Sequence, residues 1–271
     1  NGAGSYLFGG QGATQRPFVE TPTGVQYAAI AGQTRTEAAT NLPLTTDGQA
    51  AWLSARTGNG VFVTSAAPGV AGATIDNGSV SDPGALTGAN YTLDFTVAAG
   101  VTTYAVLKNG LPTAVTAAPY VSGQAITVDG MTVSVSGTPA TGDQFQIAPS
   151  TPNLSVFDTL DKAIGDLSTT GRTGSQVAQA NADNLRNLDS VMGNLQAVRS
   201  AAGAVLNSID SESSRLDAQN LASTTERSNA EDVDMVHAIS DFQNKQSGYD
   251  AALKSYAMVQ RLSLFQYVNG N

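Results

Sequence analysis

A chain of 271 residues with a formal net charge of −9 and a sequence pI near 4.4 has room for two modest domains, and its acidity disfavours nucleic acid and anionic membranes as partners. Cysteine is absent, which excludes disulfides, thiol catalysis and thiolate-bound metal together. No apolar run approaches the roughly 18 residues of a membrane span.

The chain opens at Asn1 with neither Met nor a charged and apolar leader, so the expectation is a fragment or processed product whose native start lies upstream. Residues 1–46 carry SYLFGG (Ser5–Gly10), RPFV (Arg16–Val19) and GVQYAAI (Gly24–Ile30), short extended pieces between glycines. They are too fragmentary for a domain and are expected to pack along the helices. Residues 47–150 read as a compact antiparallel β domain. Val61–Thr64 is a strand, and Tyr91, Leu93, Phe95 and Val97 alternate with polar residues as a half-buried one. Gly100 turns the chain into Val101–Leu107, and Asn109-Gly110 signals another tight turn. The clearest hairpin joins Ile126 and Val128 to Met131, Val133 and Val135 across Asp129-Gly130, a pair that accepts the positive φ values of a type I′ turn. Gln144–Ala148 is the last strand. Strands at this spacing suggest a sandwich or a small barrel.

Composition changes near residue 150. After Pro152 there is no proline, and helical periodicity takes over. Residues 153–168 form a first helix with a stripe of Phe157, Leu160, Ile164 and Leu167, capped by Asn153 or Ser155. A long helix starts at Ser175 and runs to about Glu226. Within it Leu185, Leu188, Met192, Leu195, Arg199, Ala202, Leu206, Ile209, Ser213 and Leu216 keep an unbroken three-then-four spacing, the a/d seam of a heptad repeat. Val191, Val198 and Val205 recur every seventh residue beside it. Such a seam needs a partner helix. It fits either a globular bundle or a coiled-coil rod, and the helix length favours the rod. A third helix is expected from about Glu231, with Ser228 and Glu231 as a capping box and Glu231, Asp232 and Asp234 in its first turn. Met235, Ile239, Phe242, Gln246, Tyr249, Leu253 and Tyr256 form its seam. Leu262, Leu264 and Phe265 make an apolar tip that is expected to be covered by another segment or chain. The fold class is therefore α+β: a long antiparallel helical rod with an inserted antiparallel β domain. The divisions are 1–46 (extended segments on the rod), 47–150 (β insert), 151–229 (rod helices) and 230–271 (C-terminal helix).

No catalytic constellation emerges. His237 is the only histidine, and nothing completes a zinc site or a nucleophile–base pair around it. Asp158 with Asp161, and Asp232 with Asp234, sit at helix starts, where acids are expected anyway. Asp76, Asp82, Asp94, Asp129 and Asp143 lie in the β domain, mostly beside glycine or proline, and read as turn residues. Asp76-Asn77-Gly78 opens no calcium loop, and Gly9-Gly10-Gln11-Gly12 lacks the lysine of a phosphate loop. The expectation is a non-enzyme without metal or cofactor.

Four stretches carry a family resemblance: Ser5–Val19, Gly58–Gly69 with Gly78–Gly88, Ile126–Ser150 (ITVDGMTVSVSGTPATGDQFQIAPS), and Val156–Ile164 with the ending LSLFQY (Leu262–Tyr267). Together they resemble the bacterial flagellar hook–filament junction proteins (hook-associated protein 3), relatives of flagellin. The family's N-terminal helices have no counterpart here. The resemblance implies a non-enzymatic adaptor between hook and filament, exported by the flagellar secretion apparatus and held by an export chaperone before assembly. It implies three neighbours: copies of itself in a ring, hook-associated protein 1 on the hook side and flagellin on the filament side. The expected assembly interface is Leu188, Met192, Leu195, Leu206 and Ile209 on the long helix, and Ile239, Phe242, Tyr249, Leu253, Tyr256, Leu264 and Phe265 on an inner-tube helix. The other readings are hook-associated protein 1, a flagellin-type subunit, or an adhesin or tail-fibre module that would form a self-standing trimer.

Overall fold

The computed structural model describes residues 6–11, 14–36, 41–232 and 234–268, with side chains as far as 261. The chain divides into two units, residues 1–209 and 210–271.

The first unit begins with a hairpin of β1 (Phe18–Thr21) and β2 (Gly24–Tyr27), a short helix α1 (Gly48–Trp52) and strand β3 (Ala55–Arg56). Asp47 starts α1 by accepting the N–H groups of Gln49 and Ala50 at 2.9 and 3.2 Å, as an N-cap should. Ten strands follow: β4 (Phe62–Ala66), β5 (Ala73–Ile75), β6 (Ser79–Val80), β7 (Tyr91–Ala98), β8 (Val101–Lys108), β9 (Leu111–Pro112), β10 (Ala118–Pro119), β11 (Ala125–Val128), β12 (Met131–Gly137) and β13 (Gln144–Pro149). One sheet runs β10–β8–β7–β13–β4 with β9 beside β8. The other runs β11–β12–β5 with β6 also on β12, and the pairings are antiparallel. Both sheets are open, so the β insert is a two-sheet sandwich rather than a closed barrel.

The sandwich core follows from alternation. Tyr91, Leu93 and Phe95 of β7 and Phe145 and Ile147 of β13 meet Ile75, Ile126, Met131, Val133 and Val135 from the second sheet. Phe95 stands edge-on to both Tyr120 and Phe145, with ring centroids 5.2 and 5.7 Å away. Burying each such side chain contributes about 1.5–3 kcal/mol. Asp129 and Gly130 take φ values of 40° and 78°, as the expected I′ turn requires. A Cβ on Gly130 would lie 2.1 Å from the Asp82 carbonyl oxygen, so no other residue fits there. Asp129 also fastens the hairpin tip to the first sheet: Tyr91 donates to its carboxylate at 2.5 Å and Lys108 at 2.7 Å.

A second cluster is aromatic. Trp52 stacks on Phe157 at 6.0 Å, and Phe18 lies 5.7 Å from Phe157 and 5.6 Å from Tyr27. It ties the N-terminal hairpin and α1 to helix α2 (Val156–Ser168), which follows strand β14 (Pro152–Leu154). The first helix was expected from Asn153. It starts later because β14 is claimed by β3, and Ser155 then caps α2 by accepting Asp158 N–H at 3.2 Å.

Helix α3 (Gly174–Glu231) begins in the first unit and continues into the second. Helix α4 (Met235–Val268) lies in the second. The expected Ser228–Glu231 capping box is not formed, because α3 runs through both residues and Ser228 hydroxyl bonds the Asp232 carboxylate instead. Asp234 caps α4, accepting Val236 and His237 N–H at 3.0 and 3.2 Å.

Candidate assembly surface

Helix α3 meets the β body through polar side chains. Its start is a reciprocal capping box: Thr173 Oγ1 accepts Gln176 N–H at 3.3 Å, and Gln176 Oε1 accepts Thr173 N–H at 3.0 Å. Thr173 also donates to the Ala71 carbonyl at 2.8 Å, and Gln176 Nε2 to that of Val70 at 3.2 Å. Gln179, itself buried, accepts Ile75 N–H at 2.8 Å and so closes the outer edge of β5. Arg186 donates to Asn77 Oδ1 at 2.7 Å, Ser190 donates to the Arg56 carbonyl, and Asn194 Nδ2 bonds the Ala50 and Ala51 carbonyls at 2.9 Å each. Gln176, Gln179, Asp183, Arg186, Ser190 and Asn194 follow a helical three-and-four spacing, so this is one face of the helix.

The turn between α2 and α3 is held by a half-buried ionic group. The Asp166 carboxylate takes Lys162 at 2.6 Å, Arg172 at 2.7 Å and Asn184 Nδ2 at 3.1 Å. Burial pushes its pKa up, but these three hydrogen bonds outweigh burial and hold it down at about 2. Asp183, one turn into the docked face, shows the opposite balance. Burial raises its pKa, and Arg186 at 2.9 Å and Gln179 at 3.1 Å offset that only in part.

At about 100° per residue the polar stripe and the heptad seam lie roughly half a turn apart on α3. Docking the polar face therefore turns the seam outward. Leu185 and Met192 are exposed, and Leu188 and Leu195 are half-buried. Val191, between the two stripes, is the buried apolar residue of α3. Past Asn194 the docked face becomes apolar. Val198, Ala201 and Val205 line a groove of about 460 Å³ opposite Leu7, Pro43 and Leu44, and the exposed Leu206 and Ile209 complete its rim. Leu160, Ile164 and Leu167 of α2 are exposed as well, whereas Phe157 is held in the aromatic cluster.

In the second unit Ile239, Phe242, Tyr249, Leu253 and Tyr256 of α4 are exposed, as is His237. Leu264 and Phe265 fall within α4, but their side chains, like that of Leu262, lie outside the described residues. Among the described residues no cluster of His, Asp and Glu is arranged to hold a metal ion, and no helix is long and apolar enough to cross a membrane.

The polar stripe and the Asp166 group were not anticipated from the sequence. The signal was present, since polar side chains recur at three-and-four spacing from Gln176 to Asn194 and Thr173-x-x-Gln176 is a capping-box pattern. The conspicuous apolar seam on the opposite face drew the reading instead.

Comparison with known proteins agrees with this arrangement. Residues 185–268 match the bacterial flagellin C-terminal helical region, and residues 69–149 match the D2-like domain of flagellar hook-associated protein 1. Comparison with curated protein sequences finds no match. Among solved structures, FlgL of Xanthomonas campestris aligns with a TM-score of 0.73 and 28% identity over 84% of this chain and 74% of that one. Flagellar hook associated protein-3 of Legionella pneumophila aligns at 0.72 and 27% over the same shares, and a second structure from that organism, the flagellar junction protein FlgL, at 0.69 and 26% over 81% and 73%. The chain is thus similar, over most of its length, to the flagellin-related hook-associated proteins, and within them to hook-associated protein 3.

Proposed function

We propose that this chain is a structural subunit of the bacterial flagellum that joins the hook to the flagellin filament and catalyses no reaction. The observation that carries the reading is the orientation of α3: polar side chains hold it to the β body, and the heptad seam is left facing out. A seam so placed serves contacts with other helices. Leu188, Met192, Leu195, Leu206 and Ile209 on α3 are the proposed contacts of the rod, residues 151–229. Ile239, Phe242, Tyr249, Leu253, Tyr256, Leu264 and Phe265 are those of the inner-tube helix, residues 230–271. Residues 47–150 are the outward insert, and residues 1–46 brace it against the rod. The neighbours in this reading are identical subunits in a ring, hook-associated protein 1 on the hook side and flagellin on the filament side. The flagellar export apparatus delivers the chain, with a chaperone covering its helical end beforehand.

Light scattering on size-exclusion fractions, followed by co-sedimentation with purified hook-associated protein 1 and flagellin, tests the reading. A monomer in dilute buffer that joins sedimenting assemblies of those partners is expected. A self-standing trimer indifferent to both would favour an adhesin-like module instead.

A further inference from the structure

Among the described residues, Asn59-Gly60, Asn77-Gly78 and Asn109-Gly110 each pair an asparagine with a following glycine. Such a pair is prone to self-modification, because glycine has no side chain to hinder attack of its nitrogen on the preceding side-chain amide. The fold treats the pairs differently. Asn109 stands at a hairpin tip, where its Oδ1 accepts the Asn90 N–H at 3.0 Å and open space surrounds Gly110. Asn77-Gly78, between β5 and β6, is pinned at both reacting groups. Arg186 of α3 donates to Asn77 Oδ1 at 2.7 Å, and the Gly78 N–H donates to Asp76 Oδ1 at 3.0 Å. Asp76 is itself held by the Ser134 N–H at 3.0 Å and hydroxyl at 2.7 Å. The Arg186 side chain is only 8% exposed and is fixed by Asp183 at 2.9 Å. One clamp therefore belongs to the β body and the other to α3.

We propose that Asn77-Gly78 is a latent self-modification site gated by α3: while α3 is docked Arg186 holds the Asn77 amide fixed, and when α3 leaves its seat the pair converts to aspartate or isoaspartate. In the reaction the Gly78 nitrogen gives its proton to water and bonds Asn77 Cγ. The Cγ–Nδ2 bond breaks, and the amide nitrogen takes up that proton and leaves as ammonia. Water then opens the cyclic imide at either carbonyl, so water is consumed and ammonia released. Ring closure needs the Asn77 side chain and the Gly78 nitrogen to turn toward each other, which the Arg186 and Asp76 bonds oppose. Local opening of the α3 seat removes the first of these. Aspartate at position 77 can still accept from Arg186, as a charge-assisted pair. Isoaspartate lengthens the main chain between β5 and β6 and shifts the acceptor, so it records the departure of α3 and hinders its return. The inference stands apart from the assembly reading, since every residue it uses lies in the first unit.

The test incubates the folded chain at mildly alkaline pH, with peptide mass spectrometry following conversion of amide to acid at Asn77 and Asn109. A peptide of residues Thr74–Val80 gives the unrestrained rate. Asn77 in the chain should react at least about tenfold more slowly than in the peptide, because reaction waits on local opening. Arg186→Gln should raise the Asn77 rate several-fold and leave Asn109 as it was. The double variant Gln179→Ala, Asn194→Ala, which loosens the α3 seat without touching Asn77, should raise the Asn77 rate as well. The proposal is overturned if Asn77 in the parent chain keeps pace with the peptide, or if either variant leaves its rate unchanged or lower. Equal acceleration at Asn109 would trace to general unfolding rather than to α3, and would overturn it too.

Discussion

The sandwich interior and the seat of α3 are built on opposite principles. In the sandwich, Phe95, Phe145, Leu93 and Val135 are wholly removed from water and packed from both sheets. That burial is strong but non-directional, and it tolerates shape changes better than it dictates one orientation. The α3 seat works through hydrogen bonds to particular backbone atoms: the carbonyls of Ala50, Ala51, Arg56, Val70 and Ala71, and the N–H of Ile75. Each contributes only about 1 kcal/mol net, yet rotating the helix would break them together and leave the buried Ile75 N–H unmet, at roughly 1–3 kcal/mol for that group. Polar docking thus sets the rotation of α3 and leaves its apolar seam free for other helices.

That contrast can be broken at graded points. Phe95→Ala should have the largest effect, about 3–5 kcal/mol, through the cavity it opens, read as a lower denaturant midpoint for the β body. Lowering the pH comes next. The Asp166 pKa is depressed from 3.8 to about 2, so its stabilisation is present above the unfolded value and is lost as pH falls through the folded one. The loss, about 2 kcal/mol, should appear between pH 4 and 2 as loosening of the α2–α3 turn and vanish in Asp166→Asn. Asp183, whose pKa is raised, opposes this: its protonation on acidification relieves a burial penalty. A signal local to Asp166, such as its carboxyl chemical shift, is therefore the right measurement. Gln179→Ala should cost about 1–2 kcal/mol by orphaning the Ile75 N–H, and accelerated hydrogen exchange at that amide would show it. Leu206→Ser, on the exposed seam, should move stability by less than about 0.5 kcal/mol while lowering self-association in ammonium sulfate. A large loss of stability there would mean that the seam is core after all.

Much of the fold was legible locally. Alternation in Tyr91–Val97 marks a half-buried strand, Asp129-Gly130 marks a hairpin, and Ser155 marks a helix start, because each depends on neighbours a few residues away. Ser228–Glu231 shows the limit of such signals. The motif suits a cap, yet α3 continues through it to Glu231, and Asp234 caps the next helix. Asn153 shows another, since pairing of β14 with distant β3 outcompeted helix formation. The Asp166 group was illegible for a related reason. Lys162 and Arg172 lie close by, but Asn184 joins only when α2 folds back beside α3.

The sequence by itself determined the order of β body and helices, the tight turns, and the existence of apolar seams on the long helix and on α4, because periodicity and turn chemistry are properties of short windows. It did not determine which face of α3 would dock. Gln179 reaches Ile75 across 104 positions and Asn194 reaches Ala50 across 144, and bonds of that range are decided only when the sheets are already in place. Tertiary structure alone made the polar stripe the anchored face and the heptad seam the free one. The physical reason is that the body's carbonyls and strand edge offered polar partners along that line, and Gln176, Gln179, Arg186, Ser190 and Asn194 lie on one face of α3 to meet them.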